Sequence, residues 1–182
     1  MRQLKFHEKK LLKKVNFFNW KPESDRENKV MHRYHLQRRE DYLKYNKMCG
    51  YVTRLVNQIT KLQAGDLFRI EMTQHLLNKL YLMGLVTSKK SLVVCEKLSV
   101  SSFCRRRLAV MLVKLRMTQT LKDAVTFIEQ GHIKVGPETV TDPSFHVNRE
   151  YEDFITWSDS SAIRQKVLKY NDKLDDYDLL GN

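Results

Sequence analysis

Apolar side chains recur at steps of three and four along most of this chain, and switch to alternation in one short region. Leu4, Leu11, Val15 and Phe18 can share one face of a first helix. Lys21-Pro22-Glu23-Ser24-Asp25 then reads as a break. Tyr42, Tyr45, Cys49, Val52, Val56 and Ile59 predict a long helix with a buried aromatic and aliphatic stripe, opened by Glu40-Asp41. Phe68, Met72, Leu76, Leu80 and Met83 give the next helix a buried face, with Asp66 as its N-cap and Gly84 as its C-cap. Arg105, Arg106 and Arg107 open a further helix, whose apolar face is Leu108, Met111, Leu112 and Leu115. Thr120 caps another, carrying Leu121, Ala124, Val125 and Ile128, and Gly131 ends it. His132-Ile133-Lys134-Val135 alternates as a half-buried strand does, and Gly136-Pro137 turns it back onto Thr139-Val140-Thr141. Phe154 to Trp157 is a further strand, and Ile163, Val167, Tyr170 and Leu174 predict a last helix over residues 160–174.

The fold class is therefore α+β: a mainly helical N-terminal region followed by a helix-helix-β unit. Three parts are expected. Residues 1–100 form a basic helical region with an N-terminal arm, 101–157 the helix-helix-β domain, and 158–182 a helix with an acidic tail.

Charge changes the picture more than composition does. The net charge is +12, and residues 1–60 hold 15 Lys and Arg against 6 Asp and Glu. Residues 100–134 carry a net +5, whereas 135–157 carry −4. A polyanion is the expected partner, nucleic acid before membrane. Such a split argues for a directed face. No apolar run approaches the roughly 18 residues of a membrane span. The three cysteines, Cys49, Cys95 and Cys104, are widely spaced and fit reduced, buried thiols.

Catalytic chemistry is not visible. The chain has six glycines and no glycine-rich phosphate loop, and no histidine has a nucleophile beside it. No ligand cluster points to a metal, no motif to a cofactor, and a non-catalytic binding protein is expected. Basic residues supply the candidate contacts: Arg105 in the arginine run, Lys9, Lys10, Lys13 and Lys14 in the arm, and Arg38 and Arg39 after the aromatic-cationic stretch His32-Arg33-Tyr34-His35.

Arg106-Arg107-Leu108, the Thr120 to Ala124 spacing, Gln130-Gly131-His132-Ile133-Lys134-Val135 and Asp142-Pro143-Ser144-Phe145-His146-Val147 together resemble the S-four RNA-binding domain family. That resemblance implies RNA-facing roles for Arg106, Arg107, Lys114, Lys122, Gln130, His132 and Lys134. Reversal of Arg106, Arg107 and Lys134 to Glu should then abolish RNA binding and leave the fold intact. Upstream and downstream, the run from Leu4 to Val15, Arg39-Glu40-Asp41-Tyr42, Leu80-Tyr81-x-Met83-Gly84 and Asp175-Asp176-Tyr177-Asp178 are similar to the Imp-three family of the U-three small nucleolar ribonucleoprotein. The implied role is in the small-subunit processome of the nucleolus, within the nucleus, in pairing of U-three RNA with pre-ribosomal RNA. The implied protein partners are the Imp-four protein and an M-phase phosphoprotein scaffold. A small-subunit ribosomal protein of the S-four family, bound to mature rRNA, is the alternative.

Overall fold

The computed structural model describes residues 2–14 and 22–173. The expectations for Val15, Phe18, Trp20 and the acidic tail lie outside the described residues. Helix α1 spans Phe6–Lys14, α2 Pro22–Tyr34, α3 Arg39–Lys61 and α4 Leu67–Leu82. Two short helices follow, α5 over Val93–Glu96 and α6 over Val100–Cys104. Next come α7 at Leu108–Lys114, α8 at Leu121–Glu129, strands β1 at Ile133–Val135, β2 at Glu138–Thr139 and β3 at Ile155–Trp157, and α9 at Ala162–Tyr170. The chain is α+β as expected, with the small sheet confined to its C-terminal half.

The break expected at Lys21–Asp25 is a helix start from Pro22 onward, and Lys21 lies outside the described residues. Pro22 opens α2, where its fixed φ suits the first turn and its missing N–H would have no partner anyway. α3 is the long helix foreseen, 23 residues and so about 35 Å. It buries Cys49, Val56 and Ile59. Tyr45 stacks on Phe103 of α6, ring centroids 5.5 Å apart. In α4 the buried positions are Leu77 and Leu80, while Phe68 is exposed, contrary to the predicted stripe. Apolar residues occur on every side of this helix, so their spacing does not select one face.

Two apolar clusters result. The first gathers Val56, Leu77, Leu80, Val86, Cys95, Val100, Phe103 and Cys104 from α3 to α6. The second is built on Leu108, Met111, Leu112, Ala124, Ile128, Ile133 and Val147. Thr120 accepts a hydrogen bond from the Asp123 N–H, as its cap role requires. The sheet order is β2-β1-β3, all antiparallel. β2 starts one residue earlier than the spacing predicts, with Lys134 opposite Thr139 and Val135 opposite Glu138. On its other side Lys134 faces Thr156.

The three cysteines are free and buried. Burial pushes the Cys104 thiol up to about 11, so it sits in the core as a small hydrophobe and not as a nucleophile.

Candidate nucleic-acid interface

The arginine run does not open a helix. Arg105 is the C-terminal cap of α6, Arg106 turns the chain, and Arg107 precedes α7 in extended conformation. Its backbone is pinned by residues 145–147. The Leu108 N–H donates to the Phe145 carbonyl at 2.9 Å, and the Val147 N–H donates to the Arg106 carbonyl at 2.8 Å. The three side chains consequently leave in different directions, with different fates.

Arg107 is only 2% exposed. Its Nη1 donates to Asp41 Oδ2 at 3.1 Å and to the Tyr45 hydroxyl at 3.2 Å, and its Nη2 to Ser144 Oγ at 3.0 Å. The Ser144 hydroxyl also donates to Asp41, at 2.9 Å. Arg106 is buried too, with Nε on the Val147 carbonyl at 3.1 Å and Nη1 on Glu152 at 2.9 Å. The RNA-facing roles expected for Arg106 and Arg107 are therefore corrected. Most of their donors are directed at protein acceptors, as an arginine in a low-dielectric joint requires, and Arg106 Nη2 is buried without a hydrogen-bond partner. Arg105 alone of the three is exposed, reaching the Tyr34 hydroxyl at 3.4 Å.

These bonds fasten the two halves. Asp41 and Tyr45 belong to α3, while Ser144 and Val147 belong to the segment after the hairpin. Arg149 adds a second tie: its Nε donates to the Tyr81 carbonyl at 2.8 Å, its Nη2 to Val86 at 2.9 Å, and its guanidinium lies 4.0 Å from the Tyr81 ring centroid. His146 Nε2 meets the Met83 carbonyl at 3.0 Å. The carbonyls at the end of α4 thus find their partners on the C-terminal half, where a cation also suits the helix dipole. The acid Asp41, which spacing marks only as a helix start, is a central member of this joint.

Burial alone would raise the Asp41 carboxyl, but hydrogen bonds from Arg107 and Ser144, with the Arg107 charge, hold it below the usual range. The Lys114 hydrogen bond, followed by that of Arg106, likewise lowers Glu152 against its own desolvation. Burial holds the His146 imidazole below its usual value, reinforced by the Arg106 charge and opposed by the Met83 hydrogen bond. The unfolded chain therefore takes up a proton near the ordinary histidine value of about 6.5 while the folded chain does not. Stability is fully present above that pH and falls as pH drops through the lowered folded value. A second loss follows below about 4, where the unfolded carboxyls bind protons before Asp41 and Glu152 do. Melting temperatures from pH 8 to 3 check this, and His146→Gln removes the first step alone.

The remaining candidates divide by how free they are. Lys122 and Gln130 are exposed on and just after α8. His132 is half-buried, its Nδ1 3.1 Å from the Ser161 hydroxyl. Lys114 is exposed but bound to Glu152 at 2.5 Å, and Lys134 is bound to Asp159 at 2.6 Å. Lys9, Lys10 and Lys13 are exposed on α1, whose Phe6 and Leu11 are exposed as well. Arg38 is exposed, and Arg39 pairs with Glu27 at 2.6 Å. Arg116, exposed in the turn after α7, and Arg164 on α9 were not anticipated. Arg116 carried no motif, and Arg164 reaches the sheet only through tertiary packing. Among the described residues no three His, Cys, Asp or Glu are grouped to hold a metal, and no helix is long and apolar enough to cross a membrane.

Comparison with known proteins agrees with this layout. Residues 3–105 match the ribosomal protein S4/S9 N-terminal domain, and residues 106–153 match the S4 domain. The chain is 52% identical to the mouse U3 small nucleolar ribonucleoprotein protein IMP3 over 181 residues, which cover 98% of both chains. Identity to the protein of the same name is 51% in human and 48% in Saccharomyces cerevisiae, again with 98% of each chain covered. A small ribosomal subunit protein uS4, from Picrophilus torridus, is 31% identical over 140 residues, 76% of each chain. The matches run through both halves and across the arginine joint between them, and on that basis the chain belongs to the IMP3 family of U3 small nucleolar ribonucleoprotein proteins.

Proposed function

We propose that the protein is a non-catalytic RNA-binding assembly factor of the small-subunit processome, assisting the pairing of U3 small nucleolar RNA with pre-ribosomal RNA during small-subunit rRNA maturation. The observation that carries this reading is the end-to-end match to relatives named as U3 small nucleolar ribonucleoprotein proteins, 98% of the chain at 48% identity or above in mouse, human and yeast. The helical region and the S4 domain are matched as one piece. The proposed protein partners are the M-phase phosphoprotein scaffold and the Imp-four protein, and the proposed location is the nucleolus.

The RNA-facing surface is proposed to be Arg105, Lys114, Lys122, Gln130, His132 and Lys134, with Arg116 added at the α7–α8 turn. Lysine and arginine supply salt-dependent affinity for phosphates, while an A-form duplex is read mainly by its shape. Lys9, Lys10, Lys13 and Lys14 of the arm, with Arg38 and Arg39, extend the contact toward a second strand. Arg106 and Arg107 act differently: they hold the S4 domain on α3 and α4.

Crosslinking an affinity-tagged protein to RNA in cell extract, then sequencing the bound fragments, tests the reading. U3 RNA and pre-ribosomal RNA are the expected fragments. Recovery of mature small-subunit rRNA alone would favour a ribosomal-protein role, the reading that the similarity to uS4 supports.

A further inference from the structure

Lys134 and Arg164 come from different elements, β1 and α9, and both reach one carboxylate. Asp159 Oδ2 accepts from Lys134 Nζ at 2.6 Å, and its Oδ1 is paired with the Arg164 guanidinium. The Asp159 side chain is 70% exposed, so the pairings are made in water and are weak. Arg164 and Asp159 lie beyond residue 153, where the S4 domain match ends. Between the sheet and α9 is a groove lined by Trp157, Thr156, Val167 and Leu168, with the two cations and Asp159 around it. Trp157 is paired with buried Ile133 and its ring lies 6.0 Å from that of Phe127, so the face beside the cations is that of Lys134 and Thr156, with Val167 and Leu168 of α9. Converging cations over an aliphatic floor suit the backbone of a single strand.

We propose that this groove is a single-strand RNA subsite in which a backbone phosphate replaces the Asp159 carboxylate between Lys134 and Arg164, with the attached ribose against Val167 and Leu168. Asp159 acts as a tethered stand-in for the phosphate. It keeps the two cations together when no RNA is bound and competes with RNA for them. The replacement is favourable for two reasons. A backbone phosphate accepts the arginine fork in two bonds, as a carboxylate does, and brings with it the ribose contacts that Asp159 lacks. Binding also releases condensed counterions, which an internal carboxylate cannot do. The subsite deepens the RNA-binding reading above and rests on it.

The test uses the full chain with a fluorescein-labelled oligouridine as probe, and anisotropy gives the affinity. Asp159→Asn is expected to tighten oligouridine binding roughly 3- to 10-fold, because it removes both a competitor and a repelling charge. Lys134→Gln with Arg164→Gln is expected to weaken it by at least about tenfold and to flatten the salt dependence by about 0.7 in log–log slope.

Were Asp159 merely a brace for α9, Asp159→Asn would lower the melting temperature and leave affinity equal or weaker. That outcome overturns the proposal. Unchanged affinity and salt slope in the Lys134→Gln, Arg164→Gln protein also overturn it, placing the RNA elsewhere and leaving the general RNA-binding reading intact. Failure of the parent protein to bind oligouridine overturns the subsite as well. A structured RNA hairpin run in parallel then shows whether the wider reading falls with it.

Discussion

Arg107→Ala is expected to lower the stability of the folded chain by about 3–5 kcal/mol, the range found when one partner of a buried, hydrogen-bonded ion pair is removed. The loss comes less from the missing attraction than from what is left behind. Asp41, 8% exposed, keeps its charge with only the Ser144 hydroxyl close by and Lys44 at 4.0 Å, and the Tyr45 hydroxyl loses its donor. Replacing Arg107 and Asp41 together by Met and Leu is expected to recover much of the loss, since neither charge is then stranded. Arg107→Glu does the reverse, placing a second carboxylate against Asp41. This is why reversal of Arg106, Arg107 and Lys134, expected from the sequence to spare the fold, will unfold it. Urea denaturation checks the size of each effect, with an unchanged m-value marking a true stability difference. Arg105→Ala serves as the contrast, with stability within about 0.5 kcal/mol of the parent and RNA binding weakened.

What the sequence showed and what it concealed follow from how far apart the partners are. The α8 cap, from Thr120 to Asp123, spans three residues, and the turn at Gly131 is equally local, so composition at those positions was enough. The stripe of α3 was visible because a single face of one long helix carries it. Nothing local marks Arg106 or Arg107 as internal. Arg107 finds Asp41 across 66 positions and Ser144 across 37, and Arg106 finds Glu152 across 46. Three consecutive arginines look like one basic patch because charge is counted along the chain, whereas burial is decided in space. In α4 the stripe holds at Leu76, Leu80 and Met83 but fails at Phe68, for another cause: apolar residues surround the helix, and only packing against its neighbours decides which are covered.

Gly84→Ala is the second substitution with a large expected effect, about 3 kcal/mol or more, and it probes the same joint from the opposite side. Gly84 ends α4 with φ +73°, its N–H donating to the Tyr81 carbonyl at 2.9 Å and the Leu85 N–H donating to Leu80 at 3.0 Å. A left-handed residue with a side chain costs on the order of 1 kcal/mol in that position. The larger part arises because the bare Cα faces the Arg106 guanidinium. A Cβ there would lie 2.3 Å from Nε and 2.4 Å from Cζ and Nη2. Arg106 would have to give up its bonds to Val147 and Glu152, and bonds to a charged donor are worth about 1.5–3 kcal/mol each. Gly131 provides the control within the same chain, since it has φ +74° and a methyl group placed on it would meet nothing within 4 Å. Gly131→Ala should therefore show the backbone cost alone, about 1 kcal/mol. In an Arg106→Ala background, Gly84→Ala should shrink to that same value, because the guanidinium it collides with is gone. Equal losses at Gly84 and Gly131 in the parent chain would mean that the Arg106 contact carries no weight in holding the S4 domain against α4.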